Sequence, residues 1–177
     1  GYNYRMDGIQ GAVLDVKLKY ISEWTAQRQR AARHYDTLFT GSSIATPRPT
    51  NGSEHVYHVY AIRTPNRDEL QAKLKDAGVG TNIHYPRPVH LQKVHADLGY
   101  GVGDFPESEA FADEALSLPM YPELTDDQIK SVVDAVRRSA GLQLGQPEIC
   151  EQTPDAWAVK NACPISKISV NTNRPTK

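Results

Sequence analysis

The sequence predicts an α/β domain: a long N-terminal helix, then short helices alternating with strands, then an extended tail. Three observations support this. Apolar residues recur at three- and four-residue steps from Ile9 to Leu38, the stripe of an amphipathic helix. Runs rich in β-branched and aromatic side chains, "HVYHVYAIRT" and "VGTNIHY", are separated by a helical pattern. From Gly141 onward no periodicity survives.

Taken in order, Asp7 and Gln10 have the spacing of a capping box, in which each side chain satisfies a free backbone N–H of the first turn. Ile9, Val13, Val16, Tyr20 and Trp24 continue from that cap into Ala31, Tyr35 and Leu38, giving one helix of roughly 30 residues, long enough to bend. Arg28, Arg30 and Arg33 read as its solvated face. Gly41 and "TPRPTNGSE" end the helix in a loop. "HVYHVYAIRT" is apolar on both alternating faces and reads as a strand buried on both sides. Asn66 and Glu69 suggest a second cap, leading into Leu70, Leu74 and Ala77 and a stop at Gly78. "VGTNIHY" is a second strand, broken by the prolines of "PRPVH". A helix follows around His90–Leu98, another from Pro106 to Ala115, and "LSLPM" reads as an edge strand because Pro119 cannot donate to a ladder. Thr125 and Gln128 cap the last helix, whose Ile129, Val132, Val133 and Val136 share one face.

Composition narrows the function classes. The chain has 177 residues, a formal net charge of -1, 39% hydrophobic and 23% charged residues, which describes a globular domain with a real core. The charge balance argues against a general grip on nucleic acid. No apolar run approaches the ~18 residues of a membrane span, and no basic-then-apolar leader opens the sequence, so a cytoplasmic location is expected. Cys150 and Cys163 form neither a disulfide framework nor a CxxC zinc pattern, and whether they pair is open.

The chemistry-bearing residues cluster in three places. Asn3 and Arg5 form a polar group at the first turn. His84, His90 and His95 cross a proline-rich turn with no carboxylate or thiol expected beside them, so no metal site is expected. Tyr85, between His84 and Pro86, sits on a rigid loop at a strand end, either a braced structural turn or a binding loop. His58, in the middle of a buried strand, reads first as a core histidine bonded to a neighbour. "GYGVG" lacks the spacing and the strand–turn–helix setting of a nucleotide fingerprint. No GxSxG elbow, HExxH or P-loop is present.

Read together, "GYNYRMDGIQGAVLDVKL", "HVYHVYAIR", "GVGTNIHYPRPVHLQ" and "LGYGVGDFPESEAFADEALSLPMYPELTDDQI" resemble, in consistent order, the C-terminal part of the DegT/StrS-type nucleotide-sugar aminotransferases. The resemblance covers about residues 1–140. It implies a fold-type I enzyme dependent on pyridoxal phosphate (PLP), working as a homodimer with active sites at the subunit interface. Residues 1–40 become the long interdomain helix, 41–140 the small C-terminal domain, and 141–177 a tail of unknown origin. The implied cofactor-binding residues are Asn3, an amide donor to the PLP phosphate across the interface, and Arg5, a charge-assisted donor or organiser beside it. His58, Tyr85 and His90 fall in segments bordering the sugar-nucleotide side and are the implied substrate-binding residues.

The resemblance also implies a PLP domain, carrying the Schiff-base lysine, that lies N-terminal to this sequence. Lys17, Lys19, Lys73, Lys75, Lys93 and Lys130 have none of that lysine's context, so no catalytic residue is assigned. The expectation is a fragment that neither retains PLP nor catalyses alone. The alternatives are a non-catalytic α/β module that self-associates or binds a partner chain, and one half of a split enzyme with its PLP domain on a separate chain.

Overall fold

A computed structural model describes residues 5–50 and 52–141. The expected tail therefore lies outside the described residues from position 142 on. The capping box forms as the spacing predicts: the Gln10 amide donates to Asp7 Oδ1 at 2.8 Å and the Asp7 amide to Gln10 Oε1 at 3.2 Å. It starts helix α1, Gly8–Leu18. The single long helix is not observed, because the backbone tightens at Tyr20, whose N–H bonds three residues back to Lys17 O at 3.1 Å. Helix α2, Ile21–Phe39, starts afresh beyond that joint. The two halves have different fates. No α1 residue is buried, while Ala31, Ala32, Tyr35 and Phe39 of α2 enter the core.

The sheet is smaller than the sequence suggests. Strand β1, Tyr60–Arg63, pairs antiparallel with β2, Ala115–Leu118, in the register Tyr60↔Leu118 to Arg63↔Ala115. Single bridges extend it on both sides, Ala45 to Arg63 and Asn82 to Ser117. The strand expected over 55–64 is cut short at Tyr57, whose φ of 47° is left-handed and bends the chain, with its N–H donating to His55 Nδ1 at 2.9 Å. The strand expected at 79–85 contributes only the Asn82 bridge. β2 is accordingly not an edge: Ser117 has a partner on each side, and Pro119 lies just beyond the ladder.

Helix α3, Arg67–Asp76, begins after Asn66, but the Asn66 side chain makes no capping bond. Glu69 turns instead to Lys73, 2.7 Å away one turn on. Gly78 stops the helix with a φ of +77°, open only to glycine at low cost. Two 3-10 turns, Val89–Leu91 and Lys93–Leu98, replace the helix expected there. Helix α4, Pro106–Glu114, runs without a loop into β2. Helix α5, Asp126–Ser139, carries the second observed capping box, Thr125 with Gln128, and buries Ile129, Val132, Val133 and Val136.

The core lies where α2, α3 and α5 meet the sheet. Tyr35 stacks on Tyr60 at 4.7 Å, with Ile62, Leu74, Leu116 and Leu124 around them. Two of the α2 arginines are tethers, not a free solvated face. Arg28 Nε donates to Val56 O at 3.2 Å, and Arg30 reaches Leu124 O at 2.7 Å and the Asp126 carboxylate.

Candidate functional site: a cleft and a pinned turn

An open cleft of about 480 Å³ lies at the β2 side of the sheet, lined by His58, Thr81, Asn82, His84, Ser117 and Met120 among others. A second, of about 490 Å³, lies between the end of α3 and α5 and contains no histidine. The first is the better candidate because imidazole, amide and hydroxyl groups converge on it beside apolar walls. Backbone pairing assembles it. Ser117 N–H donates to Asn82 O at 2.9 Å, which brings His84, two residues on, over β2. His84 Nδ1 then meets Ser117 Oγ at 2.8 Å.

From His84 the chain turns through Tyr85, Pro86, Arg87 and Pro88 to His90. Tyr85 points to solvent, 69% exposed. His90 does the reverse: its side chain is 7% exposed, its Nε2 lies 3.0 Å from Glu109 Oε1, and its ring packs 4.8 Å from Phe105. The expectation of no carboxylate near these histidines is thus corrected; Glu109 arrives from α4, nineteen residues downstream. The same carboxylate accepts Gly103 N–H at 2.9 and 3.1 Å and Phe105 N–H at 3.4 Å. These donors, the Gly103 amide first and His90 next, hold the Glu109 carboxyl below its ordinary range. "GYGVG" therefore serves a turn that wraps a carboxylate. Gly99 and Gly103 take left-handed φ values of +74° and +93° there.

The residues expected to form the site are only partly brought together. His58 is not a core histidine. The bend at Tyr57 leaves it ahead of β1, exposed and lining the cleft. Tyr85 follows His84 on the turn, and His90 is held at the turn's far end, away from the cleft lining. Arg5 is exposed just before the Asp7 cap, and Asn3 lies outside the described residues. Sequence reasoning missed Asn82, Ser117 and Glu109. The available signal was "FPESE", where Pro106 opens a helix and places Glu109 in its first turns facing back to the glycines. Among the described residues there is no group of three His, Cys, Asp or Glu able to hold a metal ion. No helix among them is long and apolar enough to cross a membrane.

Comparison with known proteins places this chain. The sequence profile of the DegT/DnrJ/EryC1/StrS aminotransferase family matches residues 1–137. The chain is 48% identical over 139 residues to a pleiotropic regulatory protein of Geobacillus stearothermophilus, covering 77% of this chain and 37% of that one. It is 38% identical over 141 residues to the dTDP-3-amino-3,4,6-trideoxy-alpha-D-glucose transaminase of Streptomyces venezuelae, covering 79% of this chain and 37% of the relative. Its fold matches the crystal structure of S. venezuelae DesV in complex with a ketimine intermediate, with a TM-score of 0.74 at 38% identity over 79% of this chain and 38% of that one. The chain thus spans well under half the length of the relatives it matches. With a family profile covering most of its length and relatives well above 30% identity, the chain belongs to the DegT/DnrJ/EryC1/StrS aminotransferase family.

Proposed function

We propose that this chain is the C-terminal part of a nucleotide-sugar aminotransferase, comprising its interdomain helices and small domain, and that it does not catalyse transamination by itself. The observation that carries this reading is the pairing of a family match over residues 1–137 with coverage of only 37% of each relative. The family is one of PLP-dependent aminotransferases. PLP, when bound, supplies the electron sink and carries the amino group.

The described residues do not fit that cofactor as a whole. Lys17 sits over the Trp24 ring at 6.0 Å, Lys19 pairs with Asp15 at 3.4 Å and Lys73 with Glu69 at 2.7 Å. No described lysine lines either cleft. Asn3, which lies outside the described residues, and Arg5 are the proposed donors to the phosphate of PLP held on another polypeptide. His58 and Tyr85 are the proposed substrate contacts, on the cleft and the adjoining turn. His90, buried against Glu109, is proposed to act on the substrate only through the turn it anchors. The deciding experiment is an absorbance scan of the purified chain with PLP, followed by borohydride reduction. Mixing with a separately produced PLP domain, to look for glutamate-dependent amination of a keto sugar nucleotide, distinguishes a split enzyme from a fragment.

One observation favours a second property, self-association. Helix α1 presents Ile9 (80% exposed), Val13, Leu14 and Leu18 (70% exposed) along its length. An apolar surface of this kind is covered in stable proteins, and a second copy of the chain is the commonest cover.

A further inference from the structure

The sheet has two edges, and only one is protected. Beyond the Ala45 bridge the chain carries Pro47 and Pro49, which offer no N–H to a further strand. At the other edge Asn82 exchanges both of its backbone bonds with Ser117, at 3.1 and 2.9 Å. Its neighbours Thr81 and Ile83 therefore turn their N–H and C=O groups away from β2, and neither makes a backbone bond among the described residues. No proline or charged residue guards positions 79–83. This edge leads into the cleft of about 490 Å³, walled by residues 77–80 on one side and by Gln128, Ser131 and Arg138 of α5 on the other. Its floor is apolar, formed by the buried Leu124, Val132 and Ala135. Helix α5 ends beside the same cleft. Ala140 N–H donates to Val136 O at 2.8 Å, and Gly141, left-handed at φ +66°, donates to Arg138 O at 3.4 Å. A left-handed glycine bonded in this way reverses the chain, and the residue after it commonly makes an apolar contact with the helix it has just left. That residue is Leu142.

We propose that the cleft between α3 and α5 is the docking groove for residues 142–147 of this chain, "LQLGQP", which lie back along α5 as a strap beside the unprotected sheet edge. Polarity, reach and termination suit that segment. Leu142 and Leu144 flank Gln143, so in an extended chain both leucines face the apolar floor and Gln143 faces water. Extended, residues 142–147 span about 20 Å, and α5 from Arg138 back to Gln128 is about 15 Å long, so the strap covers the groove. Pro147 has no N–H and ends any pairing with the edge. A bare edge invites a strand from another copy, and a tethered segment competes with that strand at high effective concentration. The family profile stops at residue 137, so the strap lies outside what the family shares. It is independent of the function proposed above.

Two measurements on the full chain test the strap. In the first, Cys150→Ser and Cys163→Ser remove the native thiols and Gln146→Cys carries a nitroxide, while amide signals are followed by ¹⁵N NMR. Paramagnetic broadening is expected at Tyr121, Asp127 and Gln128, the far end of the groove from Gly141, with α1 left sharp. Broadening confined to the last turn of α5, or spread evenly over the surface, overturns the proposal. Broadening of the same residues in a mixture of spin-labelled chains with separate ¹⁵N-labelled chains assigns the groove to a second copy and overturns it too. In the second, Leu142→Ser with Leu144→Ser is expected to raise amide hydrogen exchange at 77–83 by about tenfold or more, because a local cover has been lost. Exchange in the buried part of α2 is expected to stay unchanged, which shows that the domain remains folded, and Gln143→Ser is expected to alter neither region. Exchange at 77–83 unmoved by the leucine changes, or moved equally by Gln143→Ser, would show that these leucines do not occupy the groove.

Discussion

Replacing Tyr60 by Phe tests the joint on which the site is built. Tyr60 begins β1, is fully buried, stacks on Tyr35 at 4.7 Å and pairs in register with Leu118, which lines the candidate cleft. Its hydroxyl donates to Asp36 Oδ1 of α2 at 2.6 Å, a short charge-assisted bond linking the helix layer to the sheet. Phe keeps the ring and its stacking and removes the hydroxyl's bonds, the one to Asp36 and a side-chain bond with Thr46. Bonds to charged groups contribute about 1.5–3 kcal/mol. Asp36 is half-buried, so its freed oxygen can reach water, and the lower part of that range is expected, about 1.5–2 kcal/mol. For a domain of roughly 100–150 residues this corresponds to a fall in Tm of about 5–10 °C. Thermal and urea unfolding followed by circular dichroism measure it, and a double-mutant cycle with Asp36→Asn isolates the pair. A Tyr60→Phe protein within about 0.5 kcal/mol of wild type, or an additive cycle, would refute the claim that this bond joins the layers. The same environment pushes the Tyr60 hydroxyl well above the usual tyrosine range, burial first and the Asp36 bond second. The folded state thus holds this proton more tightly than the unfolded chain. Its stabilising effect is complete below about pH 10 and is lost as pH rises past that value toward the folded pKa.

Asp126, bonded by His34 and then Arg30, has its carboxyl held below the usual range, so the folded state binds that proton less tightly. Its contribution is present above the ordinary carboxylate range and is lost as pH falls through the lowered pKa; Asp126→Asn should flatten the acid limb of stability against pH. Gly103→Ala, at φ +93°, is expected to destabilise the Gly99–Phe105 loop by about 1 kcal/mol or more, seen as faster local exchange and a lower Tm. The purified chain mixed with PLP is expected to give no borohydride-fixed adduct on its described lysines, which peptide mapping checks. Ile9→Glu with Leu14→Glu should shift the chain toward monomer in sedimentation velocity; an oligomer unmoved by these charges would locate the interface elsewhere.

Much of this protein follows from local rules. Asp7 with Gln10 and Thr125 with Gln128 are contacts across a single helical turn, so residue spacing alone places both capping boxes. The buried face of α5 and the stop at Gly78 are legible for the same reason. The family, too, was readable from the order of its segments. Tertiary structure decided what depends on distant backbone. The apolar stripe running through Val13 and Tyr35 looked continuous, but only its α2 half meets the sheet and α5, because the helix breaks at Tyr20. The left-handed turn at Tyr57 shortened a strand that composition favoured, and moved His58 from the core to a cleft wall. His84 and His90 found their partners thirty-three and nineteen residues away, on Ser117 and Glu109. No periodicity encodes such contacts: they exist because α4 runs straight into β2 and β2 pairs with Asn82, and only the folded chain brings those residues within hydrogen-bonding distance.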